Sequence, residues 1–420
     1  MPVVTPNPPS SGAPLARRLG TVDATAIGLG SMLGAGVFAV FAPAAAAAGT
    51  GLLFALVIAG FIAYCNATSS AQLAAVHPAS GGTYVYGRAR LGHWWGFTAG
   101  WGFVVGKTAS CAAMALTFAA YAAPGLERPA AALAVAVLAA VNYVGITRTA
   151  ALTRILLVLV LLVLAGSATL LYPSAEPIGA HDWLPRGPVG VLQASGLLFF
   201  AFAGYARIAT LGEEVRDPAR TIPRAVLLAL PIAAVTYGVV GLAVLMVLGP
   251  HALAASTAPI ADALTAAGYA QLTPVVRIGA ATASLGALLA LIAGVGRTGL
   301  AMAREGDLPR YLAAVHPRFQ VPHHAELSLA VVVIVLVLTT DLRGAIGFSS
   351  FGVLVYYAIA NAAAFTQPQA ERRWPKALNA AGLAGCLLLA ATLPWTSVVA
   401  GLAVFAAGLG LRLLSRARSG

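Results

Sequence analysis

Three basic side chains lie where so apolar a chain has no ordinary use for them. Lys107, Arg207 and Arg297 each fall inside a long hydrophobic run, while the other lysines and arginines of the 25 present sit at run ends. Lys107 is about fourteen residues into its run, roughly 20 Å along a helix, which is too deep to snorkel to an interface. A lysine in hydrocarbon costs at least about 2.5 kcal/mol, so its presence asks for a function. Its neighbours Gly106, Thr108 and Ser110 are small or polar, as on a face turned towards protein. Lys107 can carry a proton, offer a counter-charge to a solute, or bond structurally to carbonyls of a broken helix. Arg207 can serve only as a counter-charge, because a guanidinium keeps its proton.

Two interrupted segments could position these groups. The first contains Gly28-Leu29-Gly30-Ser31-Met32-Leu33-Gly34-Ala35-Gly36-Val37-Phe38 within an apolar run of about 21–48. Each of its four glycines costs a helix about 1 kcal/mol relative to alanine. A glycine-broken helix at membrane depth is tolerated where its loosened backbone faces protein or a water-filled cavity. That backbone could hold a small polar solute, with Gly34 and Gly36 allowing close approach. The alternative is close helix packing through small residues. The second segment runs from Gly196 through Phe199-Phe200-Ala201-Phe202-Ala203-Gly204-Tyr205 to Arg207. Two interrupted helices at matching places in two halves point to an inverted-repeat transporter and its site.

The whole chain suits that setting. It has 420 residues, 60% hydrophobic and 9% charged, with a mean hydropathy of +0.87. Long apolar runs follow one another with short polar gaps, as in a polytopic helical membrane protein. Twelve spans are expected, near 21–46, 51–76, 94–123, 129–147, 151–172, 189–211, 222–249, 273–302, 325–340, 345–366, 376–393 and 396–414. With the N-terminus inside, only Arg128, Arg186, Arg277 and Arg343 lie at outside ends, and eighteen basic residues lie at inside ends. Retention of basic loops in the cytoplasm then puts both termini there, in the plasma (inner) membrane. The net charge of +12 is scattered over helix ends and forms no nucleic-acid patch. Cys65, Cys111 and Cys386 lie in apolar runs and imply neither a disulfide framework nor a metal site, and no cofactor motif appears. The Pro/Ser-rich start reads as disordered.

The motifs together resemble the amino acid–polyamine–organocation superfamily. The first-helix motif Gly30 to Phe38 carries the likeness. So do Pro78-Ala79-Ser80-Gly81-Gly82-Thr83-Tyr84, the Glu213-Glu214-Val215-Arg216-Asp217-Pro218 exit of the sixth helix, and Arg297 to Pro309 at the end of the eighth. The resemblance implies an all-α fold of about twelve helices with a leucine-transporter-type 5+5 inverted repeat, broken at helices 1 and 6. Residues 1–20 would then be a cytoplasmic tail, 21–366 the ten-helix core, and 367–420 two peripheral helices with a short cytoplasmic end. It implies alternating-access transport of amino acids. Main-chain groups at Ser31, Met32, Leu33, Gly34, Ala35 and Gly36, with Phe200, Ala201, Phe202, Ala203 and Gly204, would hold the substrate, and Phe200 would act as an aromatic gate. Half-helix ends favour that division, amides towards the substrate carboxylate and carbonyls towards its ammonium. The charged exit of the sixth helix would latch the cytoplasmic side.

One position departs from the pattern. Proton-coupled members carry a lysine in the fifth span, where 155–164 is wholly aliphatic and the site falls near Val160. Lys107 is the candidate replacement. A sodium alternative would use hydroxyls of the eighth span, among Thr282, Ser284 and Thr298. With no carboxylate expected in the central spans, a neutral or acidic amino acid suits the charges better than a dication. A cationic amino acid or polyamine antiporter and a non-transporting sensor stay open, as do a proton or sodium co-substrate and the oligomeric state. No catalytic set converges, so an enzyme is not expected.

Overall fold

A computed structural model of the chain describes residues 19–77, 81–145, 150–177, 184–209 and 214–417. The N-terminal tail as far as residue 18, Pro78-Ala79-Ser80, His181 and Glu213 lie outside the described residues. Among those described the regular structure is helical, with one isolated backbone bridge between Leu19 and Val215.

The first apolar run forms α1 (Thr21–Leu33), α2 (Gly36–Ala39) and α3 (Phe41–Ala48). After it come α4 (Leu52–Val76), a short α5 (Thr83–Leu91), α6 (His93–Ala122), α7 (Glu127–Tyr143) and α8 (Ala150–Leu171). The second broken run gives α9 (Gly187–Phe202) and α10 (Ala206–Ala209), with a 3-10 turn over Ala203–Tyr205 between them. Then come α11 (Pro218–Ala255), α12 (Pro259–Ala266), α13 (Thr273–Arg304), α14 (His323–Thr339), α15 (Leu342–Phe365), α16 (Lys376–Thr392) and α17 (Trp395–Ala417). Nine helical runs among the described residues are long and apolar enough to cross a bilayer. Three of the twelve expected spans, 129–147, 325–340 and 376–393, form helices of 17 residues each. At about 1.5 Å per residue each is about 25 Å long, so the twelve are not uniform crossings.

Apolar residues are no driving force between helices in lipid, so packing falls to small residues and buried polar groups. Glycines bring α6 and α15 together: a Cβ on Gly352 would lie 2.8 Å from Gly102 O. Polar side chains join α4, α15 and α16. Ser69 Oγ donates to Asn361 Oδ1 at 2.7 Å, Asn361 Nδ2 to Asn66 Oδ1 at 2.6 Å, and Asn379 Nδ2 to Ser69 Oγ at 2.6 Å. All four are buried. Gly382 makes room for them, since a Cβ there would lie 2.4 Å from Asn361 Oδ1.

The end of the bundle that carries most basic residues is tied by ion pairs. Arg412 of α17 meets Asp307 at 2.8 Å, both nearly excluded from solvent, and Arg88 of α5 approaches the same carboxylate at 3.5 Å. Tyr84 donates to Asp307 at 2.8 Å, and the Arg412 guanidinium lies over Phe97 at 4.3 Å. So the connection after α13 is bound to α5 and to the last helix at once.

The Asn361–Gly382 contact gives a stability prediction. Gly382→Ala overpacks the network and lowers the melting temperature of the detergent-solubilised protein, at a cost of about 1–3 kcal/mol. Asn361→Ala in the same chain frees the space, so the double variant loses less than the sum of the singles. A double-mutant cycle of thermal melts that proves additive would contradict the contact.

Candidate functional site

The first break is local. α1 stops at Leu33, Gly34 and Ala35 form a turn, and α2 resumes at Gly36. Gly34 (φ −52°, ψ −72°) and Ala35 (φ −106°, ψ −23°) are both right-handed, so glycine is not needed there for its backbone freedom. It is needed for close approach. A Cβ on Gly34 would lie 2.5 Å from Ala287 Cβ of α13, and one on Gly36 would lie 2.9 Å from Ala201 Cα of α9. On the side where a Cβ would point, each glycine is met by a neighbouring helix, the packing use of small residues. At the second break a Cβ on Gly204 would sit 2.6 Å from Met32 N and 2.5 Å from Ser31 C. The two breaks lie directly against each other.

Side chains cover the carbonyls that the breaks release. The Tyr237 hydroxyl lies 2.8 Å from Met32 O and 3.0 Å from Ala201 O, so its single proton joins the two broken helices from α11. Lys107, midway along α6 and buried, donates from Nζ to Ala203 O at 3.2 Å, and the Tyr357 hydroxyl reaches the same oxygen at 3.5 Å. The structural use of Lys107 as a carbonyl partner is thus seen, and the same side chain lines the adjoining cavity. Tyr121 donates to Phe38 O at 3.3 Å, and its ring packs edge-on to Phe38.

Beside the breaks is a cavity of about 560 Å³, a size suited to a small solute. Of the expected site residues, Ser31, Met32, Gly36, Phe200, Ala203 and Gly204 line it. Leu33 and Gly34 line an adjoining smaller cavity of about 300 Å³, which Ser31 shares. Ala35, Ala201 and Phe202 line neither cavity. Phe200 is buried on the wall of the larger one. That cavity runs from the breaks to Gly81, Glu214 and Gln320, in connections at the basic end.

Charge is unevenly placed in it. Lys107, Arg207 and Arg297 line the cavity, with Glu214 the one carboxylate among the described lining residues. Arg207 lies in the fields of both Glu214 and Arg297. The segment after α10 is ordered by backbone bonds: Leu19 N donates to Glu214 O at 3.1 Å and Arg216 N to Leu19 O at 2.9 Å. The ion pair Arg220–Asp217, at 3.7 Å, is largely exposed and adds little. Glu213 of the expected charged latch lies outside the described residues; among those described, the backbone bridge to Leu19 and a bond from Arg373 to Ala219 O at 2.9 Å hold the start of α11.

Val160 lines the smaller cavity beside Gly30 and Gly34, so the aliphatic fifth-span position does face the first helix. The three candidate sodium hydroxyls are dispersed. Thr298 lines the larger cavity, Ser284 is buried, and Thr282 is exposed. Sequence reasoning missed Tyr237 and Tyr357, although a phenol inside an apolar run is a visible sign of a buried acceptor nearby. It also missed Glu326, a carboxylate inside the 325–340 span that is 3% exposed.

Comparison with known proteins agrees with this architecture. The family model described as amino acid permease matches residues 19–409. An uncharacterized transporter of Mycobacterium tuberculosis is 60% identical over 403 residues, 94% of this chain and 90% of the relative. The branched-chain amino acid permease BcaP of Bacillus subtilis is 26% identical, covering 92% of this chain and 90% of its own. The chloroplastic cationic amino acid transporter 7 of Arabidopsis thaliana is 28% identical, covering 84% and 66%. With the family model spanning nearly the whole chain and its helices, the protein belongs to the amino acid permease family of membrane transporters.

Proposed function

We propose that this permease is a secondary active transporter moving neutral or acidic amino acids across the plasma membrane by alternating access. Its twelve spans form a five-plus-five inverted repeat over 21–366 followed by two peripheral helices, with both termini cytoplasmic. The observation that carries the substrate reading is the charge of the cavity, three cationic side chains to one carboxylate. A substrate carboxylate is favoured among them, and a second cation on the substrate has one partner against three repulsions. The printed name of the Bacillus relative points the same way, and that of the Arabidopsis relative favours the cationic alternative.

The substrate sits against Ser31, Met32, Gly36, Ala203 and Gly204, under Phe200, with its carboxylate towards backbone amides of the first break and its ammonium towards freed carbonyls. Leu33, Gly34, Ala35, Ala201 and Phe202 support that wall from behind. The cavity's reach to the basic connections, read with the retention of such connections in the cytoplasm, makes this the inward-open arm of the cycle. Lys107 holds Ala203 O in place and adds positive charge to the cavity wall.

Uptake into proteoliposomes, with a panel of labelled amino acids, tests the reading. A neutral or acidic amino acid is taken up saturably, and excess arginine does not compete. Saturable arginine uptake that neutral solutes do not inhibit would establish the cationic alternative, and binding without uptake would establish a sensor.

Lys107→Met should weaken substrate binding by roughly tenfold or more, as expected for loss of a hydrogen bond from a charged group. The variant should keep the pH dependence of uptake, because Lys107 acts here as a support and counter-charge. Loss of gradient-driven accumulation with counterflow exchange intact would instead make Lys107 the proton carrier.

A further inference from the structure

Three charged residues are buried among those described: Lys107, Glu326 and Arg412. Lys107 bonds to Ala203 O and Arg412 to Asp307. Glu326 is different: it is 3% exposed, and its Oε2 has no hydrogen-bond partner among the described residues. It lies in the first turn of α14, where its N–H donates to Pro322 O at 3.0 Å. Its side chain lies flat on α13 at Gly296, where a Cβ would come 2.7 Å from Glu326 Cγ and 3.4 Å from Oε1. The glycine is the seat that lets a carboxyl enter between the two helices.

The next residue along α13, Arg297, lines both cavities. Its charge acts on Glu326 through the protein. The other titratable groups on and beside α14 have contacts of their own, and His323 stands one turn before Glu326 with its Nδ1 unpartnered among the described residues. On α7, Tyr143 packs against His316 and His323; before α14, the Tyr311 ring stacks on His324 at 4.2 Å. On α6, Lys107 is bonded to Ala203 O. Arg297 is the cavity-lining charge that acts on Glu326.

An ionised carboxylate without partners in a buried site is costly, and the neutral acid is the cheaper form. A nearby cation opposes that preference without cancelling it. We propose that Glu326 is a proton-binding site linked to substrate binding through Arg297, so that the transporter moves a proton together with its amino acid; this rests on the transport reading above. When the substrate carboxylate occupies the cavity it draws on the Arg297 charge, and Glu326 takes up a proton. When the substrate leaves, Arg297 acts on Glu326 again and the proton is released. No bond other than O–H is made or broken. Linkage is reciprocal, so protons tighten substrate binding by the factor with which substrate tightens proton binding.

Leucine and glutamate, each labelled, serve as probes in two measurements on the full chain: equilibrium binding in detergent, and counterflow exchange with pH-driven accumulation in proteoliposomes. In the wild type, affinity for the probe that binds rises by roughly tenfold between about pH 8 and about pH 6, within the usual range of coupling. Glu326→Gln keeps the shape and mimics the neutral acid. It binds with pH-independent affinity near that of the wild type at acid pH, exchanges in counterflow, and no longer accumulates substrate on a pH gradient. If the glutamine variant does not purify as a monodisperse species, Glu326→Met is read the same way. Wild-type binding that does not depend on pH, or a variant with unchanged pH dependence, overturns the site. Absence of wild-type counterflow with pH-linked binding intact overturns the transport reading alone.

Discussion

A backbone carbonyl released from a helix inside hydrocarbon has no water to accept from, and that constraint organises the centre of this molecule. Breaking two helices at one depth is affordable only if side chains from unbroken helices replace the missing bonds. Tyr237 does so for Met32 O and Ala201 O, and Lys107 and Tyr357 for Ala203 O. The donors come from α11, α6 and α15, so three intact helices grip the two broken ones at their weakest points. Gly204 lies on the Ser31–Met32 peptide, and Gly36 lies on Ala201. The broken segments thus form one unit held by its surroundings.

The same placement yields a cavity of one predominant sign. Lysine is a carbonyl donor on a long stem, and at Lys107 that use brings a cation to the cavity wall. Arg207 and Arg297 add to it nearer the basic end, where Glu214 offsets part of the charge. A solute with a carboxylate gains from such a field more than a solute with an extra ammonium. Further out, Asp307 gathers Tyr84, Arg88 and Arg412, so that α5, the exit of α13 and the last helix move together or not at all. Arg412 lies beyond the part of the chain matched by the family model. Removing one partner of a pair so buried leaves a charge without compensation, which makes the clamp a structural commitment of this chain.

Much of this architecture was legible in the sequence because hydrocarbon restricts the alternatives. Runs of apolar residues must be helices there, and a cluster of glycines inside one must be a break or a packing seam. The positions of both breaks, the depth of Lys107 and the aliphatic character of the fifth span follow from composition and order along the chain. Contacts across helices do not. Whether Gly34 faces a solute or α13 depends on helix rotation, which a two-residue change in phase reverses and which no local pattern records. Gly34 meets Ala287, whereas Ser31, three residues earlier, lines the larger cavity. The tyrosines that cover the freed carbonyls come from 36 to 205 residues away, a separation that only folding closes. Glu326 reads as an interfacial residue by its place at the start of a span. Its burial against Gly296 was decided by the docking of α14 on α13, because burial belongs to a pair of surfaces and not to a position in a chain.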